Sequence, residues 1–217
     1  MNTLMTLRRG ALALALSAVA GLASAATYHI ELNTASFVST YGPTGWIDLQ
    51  FNPGNSGTPA AAVTLTDFVG FGDAASAQIN GAVSGSLASG YTIANTDASG
   101  WNDLFHAVSF GGTIGFNVTF SGDADPGQGG KQSTFAVGLM NADADTYLGT
   151  TDISGSLVQL NWTASLVANQ GSVTAAPLLE APSIPAVAAP VPEPETWAMM
   201  AAGLALLGLV CRRKQVS

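Results

Sequence analysis

Along most of this chain apolar and polar residues take turns, one by one. In "TYHIELN", Tyr28, Ile30 and Leu32 alternate with His29, Glu31 and Asn33. "GTIGFNVTFSG" sets Ile114, Phe116, Val118 and Phe120 against Gly115, Asn117 and Thr119. "TFAVGLMN" repeats the pattern with Phe135, Val137 and Leu139, and "LVQLNWTA" with Val158, Leu160, Trp162 and Ala164. A period of two sends successive side chains to opposite faces of an extended backbone, so each segment is a strand with one face to bury. Further strands are expected at 46–51, 62–69, 75–83, 90–95 and 104–110, separated by the turn clusters "NPGNSG", "DADPGQGG" and "NADAD". No stretch carries helical spacing, and no internal repeat points to a solenoid or propeller. About nine short strands with one apolar face each fit an all-β domain, an antiparallel β-sandwich over residues 26–168.

Charge is sparse and segregated. Charged residues make up 9% of the chain, well under the usual quarter or so. Residues 27–174 carry eleven acids against the single Lys131, a net charge close to −10. Nucleic-acid binding depends on Lys and Arg neutralising phosphates, so a nucleic-acid partner is excluded. The only cysteine, Cys211, lies near the C-terminus, which leaves the body no disulfide, thiol nucleophile or thiolate metal site.

The basic residues mark the two ends. Arg8 and Arg9 precede a short apolar run, "ALALALSAVAGL", which is followed by the small residues Ala23 and Ala25. This order reads as a secretory signal peptide at 1–25, calling on the Sec translocon and signal peptidase, with cleavage after Ala25. At the other end Trp197 to Cys211 is a fifteen-residue run without charge, followed at once by Arg212, Arg213 and Lys214. A bilayer core asks for roughly 20 residues of helix, so this is a marginal transmembrane helix (197–211) with a basic membrane stop on the cytoplasmic side. Residues 169–191 form an Ala/Pro-rich linker. Proline favours polyproline II, so the stretch 175–195 reads as a semi-rigid stalk, and some twenty residues at about 3.1 Å each would hold the body roughly 60 Å from the membrane.

The tail "VPEPETWAMMAAGLALLGLVCRRK" resembles the PEP-CTERM sorting signal: Pro192, Glu193 and Pro194, a short helix, then a basic cluster. That resemblance, over 192–217, implies recognition by an exosortase, a membrane-embedded transpeptidase-like enzyme of Gram-negative bacteria that make exopolysaccharide. The helix is then a transient handle in the inner membrane, and the product goes to the cell surface or extracellular matrix. "TYHIELNTAS", "GWIDLQFNPG", "WNDLFHAVSFGGTIGFNVTFSG" and "TFAVGLMNADAD" are similar to a group of PEP-CTERM ectodomains without an assigned activity, and that likeness supplies no mechanism.

Candidate chemistry in the body is thin. "NADADTYLGTTD" sets Asn141, Asp143 and Asp145 at alternate positions, with Asp152 at the twelfth place of an EF-hand-like calcium loop. Thr146, however, stands where the turn needs glycine, and strands instead of helices flank the loop, so a polar hairpin tip following the strand 134–141 is the stronger reading. Asp123 and Asp125 in "GDADPGQGG" make a second calcium candidate, and two such loops at one end of a sandwich would share an ion. Hydrolytic triads need a histidine. His29 sits on the polar side of the first strand, and His106 follows Asp103 at a spacing that puts them on opposite faces. "NVT" and "NWT" match glycosylation acceptors but lie within expected strands. Trp46, Trp101, Tyr41 and Tyr91 lie in or beside turns, where rings stack on sugars or fill the core. The expectation is a non-enzymatic surface or matrix protein associated with exopolysaccharide and biofilm. The alternatives are a carbohydrate-binding module, calcium-assisted or not, and behind it an extracellular hydrolase.

Overall fold

The computed structural model describes residues 26–97, 99–127, 129–176, 178 and 186–191. Among these residues, thirteen strands run as β1 Thr27–Asn33, β2 Thr44–Pro53, β3 Ala61–Val69, β4 Gln78–Asn80, β5 Val83–Ser86, β6 Gly90–Ala94 and β7 Asp103–Ser109. They continue as β8 Thr113–Gly122, β9 Gln132–Met140, β10 Tyr147–Leu148, β11 Ser156–Thr163, β12 Ser172–Ala175 and β13 Ala186–Pro190. A four-residue helix, α1 Val38–Tyr41, and a 3-10 turn, Ala74–Ser76, are the helical pieces. Sheet I has the order β13-β1-β8-β3-β6-β5 and sheet II the order β12-β11-β9-β2-β7-β4, with β10 beside β9. Every pairing is antiparallel, and most consecutive strands belong to opposite sheets.

The alternation read from the sequence is what builds the core. Ile30 and Leu32 of β1, Ile114, Phe116, Val118 and Phe120 of β8, Phe135, Val137 and Leu139 of β9, and Leu160 and Trp162 of β11 are all buried in one cluster. Rings from the two sheets meet there. Phe120 of sheet I makes edge contacts with Phe51 and Phe135 of sheet II and stacks on Trp162 at 6.0 Å. Each such ring, fully buried, contributes about 1.5–3 kcal/mol. The two sheets therefore face one another across a shared apolar layer.

Three segments differ from expectation. Residues 75–83 do not form one strand. The Asp73 carboxylate accepts the Ala75 N–H and closes the 3-10 turn, so only Gln78–Asn80 pair with β7. Gly81 then turns the chain at φ +70, where a Cβ would strike the Trp101 carbonyl. Second, β3 is interrupted at Asp67 (φ 58), where its register against β8 shifts. The Asp67 carboxylate accepts the Asn117 amide and the Thr66 hydroxyl, holding the bulge.

Third, the segment read as a linker contributes two edge strands. β12 pairs with β11, and β13 pairs with β1 from Tyr28↔Pro190 to Leu32↔Ala186. Proline fits here for a geometric reason. The Val191 N–H donates to the Thr27 carbonyl, so by antiparallel alternation Pro190 occupies a position whose N–H would point away from β1. The signal peptide 1–25 and the helix 197–211 lie outside the described residues. Among the described residues, no helix is long and apolar enough to cross a membrane.

Candidate functional site

Sheet II carries a polar outer face, and one part of it is concave. Along β2 the inward residues Ile47, Leu49 and Phe51 are buried in the core, so Trp46, Asp48 and Gln50 point outward. Register places Phe105 of β7 opposite both Asp48 and Gln78, and Asp103 opposite both Gln50 and Asn80. Trp46 stands opposite Ala107, diagonal to Phe105 at a reach of about 7–8 Å. Trp46, Phe105, Asp103, Gln78 and Asn80, with Ile79 and Ala144, line a cleft of about 380 Å³. The Trp46 ring is held by its indole N–H, which donates to the Ala142 carbonyl at 3.0 Å. Asp103 is 6% exposed and accepts from the Asn80 amide at 3.0 Å. Burial pushes the Asp103 carboxyl above the usual range, while hydrogen bonds from Asn80 and Trp101 pull it back.

Beside the cleft is a buried acid. Asp48 is 2% exposed although it points away from the core, because the Tyr147 ring lies over it. That ring rests on Gly138 and Gly155, where a Cβ would come within 2.8 Å and 2.5 Å of it. The Tyr147 hydroxyl and the Gln50 amide both donate to Asp48 Oδ2, at 2.8 Å and 2.7 Å. Asp48 Oδ1 has no hydrogen-bond partner. Burial raises the Asp48 carboxyl, and burial together with the neighbouring Asp48 charge raises the Tyr147 hydroxyl. Asp48 and Asp103 repel one another but line different cavities, Asp48 the small one beneath Tyr147 and Asp103 the cleft.

The calcium candidates are kept apart by topology. Asp123 and Asp125 precede β9, whereas Asn141, Asp143 and Asp145 follow it. A nine-residue strand separates the two loops by about 3.4 Å per residue, so they cannot share an ion as one end of the fold would allow. Each loop uses its own acids. Asp125 accepts the Gly127 and Gly129 amides. Asn141 accepts the Asp145 and Thr146 amides, and hydrogen bonds donated by the Asn141 amide and the Thr146 hydroxyl hold the Asp145 carboxyl below its usual range. Asp152 is buried and accepts from Ser154. Among the described residues, no three His, Cys, Asp or Glu side chains are grouped to hold a metal ion.

The remaining candidates separate as follows. His29 lies on the polar side of β1, 2.7 Å from Asn117 and 3.2 Å from Glu31. His106 is wholly buried between Phe71 and Tyr91, on the face of β7 opposite to Asp103. Asn117 and Asn161 of the two acceptor motifs lie within β8 and β11. Of the four rings expected near turns, Tyr91 is instead a core residue of β6 and Trp46 belongs to β2, while Tyr41 and Trp101 are exposed. Sequence reasoning missed Asp48, Phe105, Asn80 and Tyr147, which sit on outward positions of strands that alternation marks only as polar or solvent-facing. Ala23, Ala25, Pro192, Glu193, Pro194, Arg212, Arg213 and Lys214 lie outside the described residues.

These features define a class: an all-β body whose last strand among the described residues is followed in sequence by a C-terminal Pro-Glu-Pro step. The family described as PEP-CTERM protein-sorting motif matches residues 190–214. The chain thus carries that sorting motif behind a β-rich domain, and the motif implies exosortase-dependent export and association with the cell surface. Comparison with curated proteins and with solved structures finds no match in either.

Proposed function

We propose that this chain is a non-enzymatic surface or extracellular-matrix protein, exported by residues 1–25, held briefly in the inner membrane by 197–211, and processed by an exosortase at Pro192–Pro194. The PEP-CTERM motif at 190–214 carries this reading. The body's geometry supports it. β1 and β13 are antiparallel, and the Thr27 carbonyl accepts from the Val191 N–H at 2.8 Å, so the start of the body and the entry to the motif share one corner. Both processing points then face the same membrane. The product is incorporated into, or released with, exopolysaccharide.

The test is the intact mass and fractionation of the chain in the producing strain and in one lacking its exosortase. A mature chain without its tail is expected in the first, and a membrane-bound chain that retains it in the second. The same processed mass in both strains overturns the sorting reading. A second reading, that the body is a carbohydrate-binding module, is favoured by one observation: the outer cleft of sheet II combines rings with amide and carboxylate groups. Its binding test is run with calcium and with chelator, so that a role for the acidic loops is read at the same time.

A further inference from the structure

We propose that the cleft between β2, β7 and β4 is the seat of a neutral polysaccharide, with a pyranose ring lying on Trp46 and Phe105 and its hydroxyls bound by Asn80, Gln78 and Asp103. This deepens, and rests on, the carbohydrate-module reading. A sugar ring has apolar C–H faces and a rim of hydroxyls, so its receptor needs an aromatic face beside fixed donors and acceptors. The cleft supplies both. Trp46 is held in place by its bond to Ala142, and Asn80 is oriented by its bond to Asp103. Ordering these groups before binding lowers the entropy cost of association.

Two observations restrict the ligand. The body holds eleven acids and one lysine between residues 27 and 174, and an acid lines the cleft itself. A polyanion would meet repulsion on approach and at the site, and the uncharged amides of Asn80 and Gln78 suit the hydroxyls of a neutral chain. The larger cavity, of about 550 Å³, lies among the loops around Asn55, Asn95 and Asp97. It contains no aromatic side chain, and Asp97 is occupied by the Ser99 amide and hydroxyl. The cavity beneath Tyr147, about 20 Å³, has room for little more than one water.

The experiment is affinity electrophoresis of the full chain, purified in detergent, through gels containing hydroxyethylcellulose, galactomannan or dextran, with alginate as the polyanion. Retardation by at least one neutral polymer and none by alginate is expected. Trp46→Ala and Phe105→Ala should each weaken that retardation about tenfold, while Tyr41→Ala, an exposed ring that does not line the cleft, should leave it unchanged. If Trp46→Ala does not fold, Phe105→Ala and Asp103→Asn decide. Undiminished binding in the folded cleft variants overturns the site while sparing the module reading. Retardation by alginate alone overturns the neutral-ligand site while sparing the module reading, and absence of retardation by all four polymers overturns both.

Discussion

Asp48 shows how one residue acquires properties its position does not announce. It lies on the outward side of β2, yet the Tyr147 ring closes over it and only Oδ2 is hydrogen-bonded. Because burial raises its carboxyl, the folded chain holds the Asp48 proton to a higher pH than the unfolded chain does. Stability therefore falls as pH rises through the window between those two values, and Asp103 acts in the same direction. Asp97 and Asp145, held below the usual range by Ser99 and Asn141, act oppositely and lose their contribution as pH falls. Asp48→Asn keeps an acceptor for Tyr147 and Gln50 and removes the buried charge. Thermal melts should show a higher midpoint than wild type at neutral pH and a flatter pH dependence; an unchanged slope would assign the dependence elsewhere. Tyr147→Phe removes a donor to a buried carboxylate and should cost about 1.5–3 kcal/mol at neutral pH. That cost should shrink in acid, where Asp48 is protonated, as read from denaturant midpoints at the two pH values.

At the scale of elements, β13 is the piece with most consequence. It covers the free edge of β1, which would otherwise present unpaired backbone groups for another chain to join. Since Thr27 accepts from Val191, alternation directs His29 and Glu31 toward β13 and Ile30 and Leu32 toward β8. Ala189→Pro removes the N–H that faces His29 and should unzip β13. Hydrogen exchange should then accelerate at the His29 and Glu31 amides and stay slow at Ile30 and Leu32. Equal acceleration at all four would mean that β1 itself had detached, and no change would mean that β13 does not pair there.

For the whole molecule, the docked β13 changes the distance between body and membrane. A free stalk over 175–195 would span roughly 60 Å, but with pairing through Pro190 only residues 191–196 remain before Trp197. Six residues reach at most about 20 Å. In a strain that keeps the proposed anchor, the corner holding Thr27 should sit near the bilayer. With Cys211 replaced by Ser, a fluorophore at Asp123→Cys, beside that corner, should be quenched by a headgroup quencher. One at Gly112→Cys, beyond the far end of β1 and in open space, should not be. Equal quenching at both positions would indicate a body lying on its side, and quenching at neither would restore the long stalk.

Alternation in the sequence determined the all-β class and located the strands around Ile30, Phe116, Phe135 and Leu160, because one buried face per strand is a local demand that each segment must satisfy by itself. The Pro-Glu-Pro tail was legible for a similar reason: a sorting label is read as a short linear segment. Only the tertiary structure decided the rest. The pieces 172–175 and 186–190 of the segment read as a linker became strands because open sheet edges supplied partners, which no local pattern encodes. Asp48 became buried because Tyr147, 99 residues away in sequence, packs on Gly138 and Gly155. The cleft exists because β2, β7 and β4 lie side by side, an adjacency fixed by strand order and register across the whole sheet.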